Sequence, residues 1–191
     1  PAEQVREFLA SCEPIFLELE SAAMCDRCDW GVEVRDLTTQ QAIELRLPEI
    51  QNSRNLARLL LLKARLAIVD RKYDDAFHAI QLGFQLGKDV SEFPSIISSL
   101  VGVAINAMMT TPLMDLIAEP GSPNFYWAAA TIPTPLIDLN PALEFEFNWA
   151  LKLPLIREAD QSHTPEEWKR LLAETFQFMQ QMQGTSSMKS S

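Results

Sequence analysis

Basic residues are what this sequence most conspicuously lacks. No Lys or Arg occurs from Asp89 to Leu151, although only seven acidic residues fall in that stretch. Over the whole chain, 16 basic residues face 26 acidic ones, a formal net charge of −10. Phosphate-rich surfaces need positive charge, so nucleic acid and anionic membrane surfaces are excluded as partners. Glycine is also scarce, with 6 residues in 191, which excludes a dinucleotide fingerprint. Neither a hydrolase elbow (Gly-x-Ser-x-Gly), a His-Glu-x-x-His pair nor a phosphate-binding glycine loop is present. Cysteine is limited to Cys12, Cys25 and Cys28, an odd and sparse set that defines neither a disulfide scaffold nor a redox compartment.

What is present is helical periodicity. The hydrophobic fraction is 47%, enough for a globular core. Residues 2–28 carry an apolar stripe through Val5, Phe8, Leu9, Cys12, Ile15, Phe16 and Leu19, with Pro14 breaking the run or opening a second helix. Cys28-Asp29-Trp30-Gly31 ends that unit. Residues 32–47 have no clean period and read as an extended connection. Pro48 then fits the first turn of a helix to about Asp70, followed by a corner at Arg71-Lys72-Tyr73 and a helix from Asp74 to about Gly87. Ser91 is the expected cap of the next helix, with Pro94 in its first turn.

From Phe93 to Met114 every residue is uncharged, a run long enough to span a bilayer. Glu92 and Asp115 flank it without an anchoring Lys or Arg, and Ser95, Ser98, Ser99, Asn106, Thr110 and Thr111 interrupt it. A buried central helix over about 92–118 is the preferred reading. Six of the twelve prolines lie between 112 and 141, so short helices and turns are expected there. Ser122-Pro123, Thr134-Pro135, Asn140-Pro141 and Thr164-Pro165 each pair a capping residue with proline. Thr164-Pro165-Glu166-Glu167 adds the spacing of a capping box. The helix it opens, 165–183, carries Trp168, Leu171, Leu172, Thr175, Met179 and Met182 on one face. The residues from 184 to 191 are polar and are read as a disordered tail. The fold class is therefore all-α, helical hairpins or an irregular bundle in one domain over 1–183.

Chemistry-bearing residues are few. Cys25 and Cys28 have the spacing of half a zinc knuckle, but Cys12 lies about 20 Å away along a continuous helix. His78 and His163 are remote, so no fourfold ligand set forms. Small buried side chains or a local disulfide remain the readings for the pair. Glu144 and Glu146 stand two apart and do not share a helix face, and Asp74-Asp75 suit a helix N-terminus. His78 reads as a partly buried helix-face residue and His163 as an exposed loop imidazole. No catalytic residue, metal or cofactor is assigned. The residues singled out as ligand or partner contacts are Phe125, Tyr126, Trp127 and Trp149, which could floor a pocket or pack short helices.

Two resemblances add to this. Residues 56–87 resemble a tetratricopeptide-repeat hairpin: Leu60, Ala64 and Ala67 occupy its first-helix positions, Tyr73 and Ala76 its corner, and Ile80 and Gly83 its second helix. Arg71 replaces the usual glycine, Lys63 the usual leucine, and no second copy follows at a 34-residue offset. The longer pattern resembles an uncharacterised bacterial all-helical family. It runs through Cys28-Asp29-Trp30-Gly31, Leu47-Pro48, Arg54-Asn55-Leu56-Ala57-Arg58-Leu59-Leu60, Leu100-Val101-Gly102-Val103-Ala104-Ile105 and Asn124-Phe125-Tyr126-Trp127-Ala128. That likeness implies an envelope-associated or extracytoplasmic protein, of which this chain, opening on Pro1, is the soluble part, tethered through a preceding apolar segment. The expected function is a non-enzymatic helical interaction or scaffold module with an unknown protein partner. A homo-oligomer is possible, with the Met-bearing terminal helix as its interface. The alternative is a binder of a small apolar ligand or lipid over residues 93–137.

Overall fold

The computed structural model describes residues 2–25, 28–30, 48–93, 95–130, 134–151 and 153–187. The connection read over 32–47 and Pro94 lie outside the described residues. All regular structure among the described residues is helical, in nine helices and without a strand. They are α1 (Ala2–Ser11), α2 (Glu13–Ala23), α3 (Pro48–Val69), α4 (Tyr73–Ser91), α5 (Ile96–Ala118), α6 (Tyr126–Ala130), α7 (Asn140–Ala150), α8 (Pro154–Arg157) and α9 (Pro165–Ser187). The chain divides into two compact units, one formed by Pro1–Trp30 with Leu47–Ala142 and the other containing Leu143–Ser191.

In the first unit, Pro14 opens α2 in its first turn rather than kinking one long helix. The inward stripe runs Leu9, Cys12 and Phe16, with Val5 and Leu19 beside it. Phe8, expected on that stripe, is half exposed because the three- and four-residue steps through Leu9 and Cys12 pass it by. α3 buries Ala57, Leu60, Ala64 and Ala67, and α4 buries Ala76, Ala79, Ile80, Gly83 and Gly87. Small side chains on both surfaces let α3 and α4 pack closely, and α5 packs across both.

The corner between α3 and α4 is a Schellman-type stop. Lys72 N–H donates to Ala67 O at 2.8 Å and Arg71 N–H to Ile68 O at 3.0 Å. That wrapping puts Arg71 at φ 57°, the left-handed conformation usually given to glycine. α4 then runs through Ser91, past the expected stop at Gly87, and the cap of α5 moves to Ser95. Its hydroxyl accepts from Ser98 N–H at 3.1 Å, whereas Ser91 Oγ donates back to Lys88 O. At α6 the turn-forming acceptor is Asn124, which takes Tyr126 N–H, rather than Ser122. Thr134-Pro135 is a cis peptide in a bend and starts no helix.

In the second unit, the capping box opens α9 as read from sequence. Thr164 Oγ1 accepts from Glu167 N–H, and Glu167 Oε2 accepts from Thr164 N–H at 2.8 Å. Leu171 and Thr175 are buried and Trp168 is half-buried, while Leu172 faces out. α8 packs on α9. The side chains of Met179 and Met182 lie outside the described residues.

Candidate functional site

The central helix α5, expected to be buried, is buried on one face only. Its inward face holds Ser98, Ser99, Gly102 and Asn106 between Val101, Ile105, Met109 and Leu116. Its outward face holds large apolar side chains: Ile97 is 63% exposed, Leu100 55% and Met114 61%. Half of its most apolar stretch is buried inside the protein. The inward face is small around Gly102, where α4 comes very close. A Cβ added at Gly87 would stand 3.0 Å from Gly102 O and 2.9 Å from Asn106 Cγ. Asn106 is 5% exposed, and neither its Nδ2 nor its Oδ1 has a partner.

The aromatic residues singled out from sequence separate. Phe125 stacks on Phe77 at 4.7 Å and 15° and packs against the core, joining the segment after α5 to α4. Tyr126 and Trp127 form an edge-to-face pair at 5.1 Å and project outward, with Trp127 77% exposed. The Trp149 side chain lies outside the described residues.

A cleft of about 250 Å³ opens between α1–α2 and the α3–α4 corner, lined by Arg6, Glu13, Phe16, Lys63, Asp70 and Asp75 among others. None of its lining belongs to residues 93–137. Three of its charged side chains are engaged within the chain. Arg6 forms an ion pair with Asp70 at 2.7 Å and with Glu3 at 2.9 Å, and Lys63 Nζ lies 4.0 Å over the Phe16 ring. The hydrogen bond from Arg6 holds the Asp70 carboxyl below the usual carboxylate range. A carboxylate so paired is a poor proton acceptor.

All three cysteines are free thiols. Cys25 is exposed and Cys28 half-buried, and no disulfide joins them, so neither reading of that pair holds; Cys12 is the buried thiol. Burial, followed by the carboxylates of Asp89, Glu92 and Asp29, pushes the Cys28 thiol up, away from a reactive thiolate. Segment 28–30 is fastened to the end of α4: Cys28 N–H donates to Glu92 Oε2 at 2.8 Å and Trp30 Nε1 to Asp89 O at 3.2 Å. Among the described residues, no group of three His, Cys, Asp or Glu side chains could hold a metal ion.

The histidines exchange the places expected of them. His78 is exposed, with Nε2 3.3 Å from Glu20 Oε1, because Ala76, Ala79 and Ile80 set the buried face of α4. His163 is nearly buried, donating from Nε2 to Glu158 O at 2.9 Å with its ring edge-on to Trp168 at 5.0 Å. The capping turn before α9 folds the imidazole onto the tryptophan three positions into the helix. Asp74 and Asp75 lie exposed in the first turn of α4.

No family model matches this chain, and no curated protein or solved structure is significantly similar to it.

The feature that sequence reading missed is therefore the outward face of α5. Its signal was available: Ile97, Leu100, Ala104, Ala107, Thr111 and Met114 recur at alternating steps of three and four, and all six are exposed. The run's uniform apolarity hid which half of it would face solvent.

Proposed function

We propose that this chain is a non-enzymatic helical interaction module, in which α3 and α4 form one degenerate tetratricopeptide-like hairpin supporting α5. The observation that carries this reading is the uncharged apolar face of α5, exposed on a chain that is otherwise acidic. Contiguous apolar surface on a soluble domain is unfavourable unless a partner covers it. The exposed Tyr126 and Trp127 belong to the residue types enriched where partners bind. The pairing of Asp70 with Arg6 in the cleft and the raised Cys28 thiol favour a binding role over a catalytic one.

The test is photo-crosslinking in cells from a benzophenone side chain placed at Leu100, at Trp127 or at the exposed control Glu18. The expected result is adducts of discrete mass from Leu100 and Trp127 that are absent at Glu18. The same adduct pattern at all three positions, or none at any, overturns the reading.

A further inference from the structure

We infer that the face of α5 is a homotypic interface, on which two copies of this chain pair through antiparallel α5 helices; this rests on the interaction reading above and names its partner. The argument begins with the pattern. Ile97, Leu100, Ala104, Ala107, Thr111 and Met114 form a heptad stripe, and every one of them is exposed. Val103, Thr110 and Ile117 flank it on one side and are exposed as well. Thr110 turns its hydroxyl back onto Asn106 O at 3.0 Å, so it asks nothing of a partner.

The stripe is complementary to itself. A two-fold axis through the middle of the helix sets Ala104 against the second copy's Ala107, Leu100 against Thr111, and Ile97 against Met114. The small residues meet at the centre, which lets the two backbones approach closely, and the large ones meet at the ends. A parallel pairing instead sets Leu100 on Leu100 and aligns the two helix dipoles, whereas the antiparallel one sets Leu100 on the smaller Thr111 and opposes them.

Charge selects the same partner. Two chains of net charge −10 repel each other, and that repulsion is least costly where the touching surfaces carry no charge of their own. From Phe93 to Met114 there is none, and no basic residue appears until Lys152. Along that stretch the face has no cation to hold an acidic partner and no anion to hold a basic one; Glu92 and Asp115 stand at its two ends. A neutral, self-matching surface is what it offers. A bilayer fits less well, because half of the apolar stretch of α5 is already buried against the protein and no Lys or Arg flanks it.

The size of the contact sets the strength. The 23 residues of α5 make a strip about 35 Å long. Pairing along it buries on the order of 600 Å² per copy, at the lower edge of standard interfaces, and fits micromolar rather than nanomolar association.

The experiment is sedimentation velocity of the full chain over a concentration series, with site-directed cross-linking. Unmodified protein is expected to form a concentration-dependent dimer. Ala107→Glu should weaken it at least about 100-fold by placing two charges at the dry centre. Because Ala107 is exposed in the single chain, its circular dichroism spectrum and thermal midpoint should stay the same, which separates loss of pairing from loss of fold. In a Cys25→Ser, Cys28→Ser background, Ile97→Cys chains mixed with Met114→Cys chains should form a disulfide dimer on mild oxidation, and neither should do so alone. Positions 97 in the two copies lie about 25 Å apart in the antiparallel pair.

A monomer at every concentration overturns this proposal. So does cross-linking of Ile97→Cys with itself, which marks a parallel pair. So does an immobilised spin label at Leu100 in a monomer, which marks a segment of the same chain on the face. If the chain is monomeric while photo-crosslinking from Leu100 still gives adducts with a different protein, the homotypic interface fails and the interaction reading stands. If both experiments are negative, both fail.

Discussion

Arg71 shows how much of this architecture turns on single backbone conformations. The reversal between α3 and α4 needs one residue at positive φ, and an arginine occupies it. Its Cβ crowds the following carbonyl, a penalty glycine lacks. Arg71→Gly is therefore expected to raise stability by about 0.5–1 kcal/mol, after the greater freedom of glycine in the unfolded chain is set against the gain. Chemical denaturation of the two proteins side by side checks this, and an unchanged or lowered midpoint refutes it. A second residue-scale prediction concerns Thr164. Its hydroxyl and backbone close the capping box of α9, so Thr164→Ala should destabilise the second unit by about 1 kcal/mol. Thr164 N–H, followed by its hydroxyl, holds Glu167 below the ordinary glutamate range. A carboxyl lowered in the folded state contributes stability that is complete above its unfolded pKa and lost as pH falls through its folded one. Glu167→Gln should therefore flatten the acid limb of the second unit's pH–stability curve. Hydrogen exchange of the first turn of α9, followed from neutral pH into acid, reads this directly, and identical acid limbs would refute it.

At the scale of elements, the contact of α4 with α5 decides the packing of the first unit. Gly87 and Gly102 face each other there. A Cβ at Gly102 would press on Gly87 O and stand 3.0 Å from both Ile137 Cδ1 and Ser91 Cβ. Helix propensity alone favours alanine over glycine by about 1 kcal/mol. The backbone clash outweighs it, because a helix axis cannot yield as a side-chain tip can. Gly102→Ala should thus destabilise by about 1–3 kcal/mol, in the range of overpacked cores. A thermal midpoint at or above that of the parent would refute the close contact. At Gly83 the nearest atoms to an added Cβ belong to the Met109 side chain rather than to backbone, so Gly83→Ala should be milder. This is also where legibility in the sequence divided. The first helices were readable because their stripe, Val5, Leu9, Cys12 and Phe16, is separated by polar positions such as Arg6, Glu7, Ser11 and Glu13. The capping box at Thr164 was readable because its chemistry is local. Ser91 misled because a serine before a proline signals a cap only if the preceding helix has ended, and α4 had not. The orientation of α5 was harder to read: apolar residues recur at helical steps on more than one of its faces, and its neighbours decide which is buried, with Gly87 of α4 taking the face of Gly102 and Gly83 that of Met109. The aromatic cluster misled in the same way, since Phe125 packs inward on Phe77 while Trp127, two positions on, faces out.

At the scale of the whole molecule, the charge distribution and the paired α5 helices make a joint prediction with a definite sign. Two chains of net charge −10 must approach to form the dimer, giving −20 on one particle. The interface itself holds no ion pair, so screening has no attraction to weaken there and only long-range repulsion to remove. The Debye length is about 30 Å at 0.01 M salt and about 10 Å at 0.1 M. Raising salt across that interval brings repulsion between the charged flanks within a shorter reach while leaving apolar burial nearly unchanged. Self-association should therefore tighten with salt, by several-fold in Kd. An interface stitched by lysine–carboxylate contacts would loosen instead. Lowering pH towards the isoelectric point near 4.7 should act in the same direction by discharging carboxylates on both copies. Sedimentation equilibrium at the two salt concentrations decides between them: a dissociation constant that rises with salt means that charges outside the α5 face hold the copies together, and the neutral seam is then not what joins them.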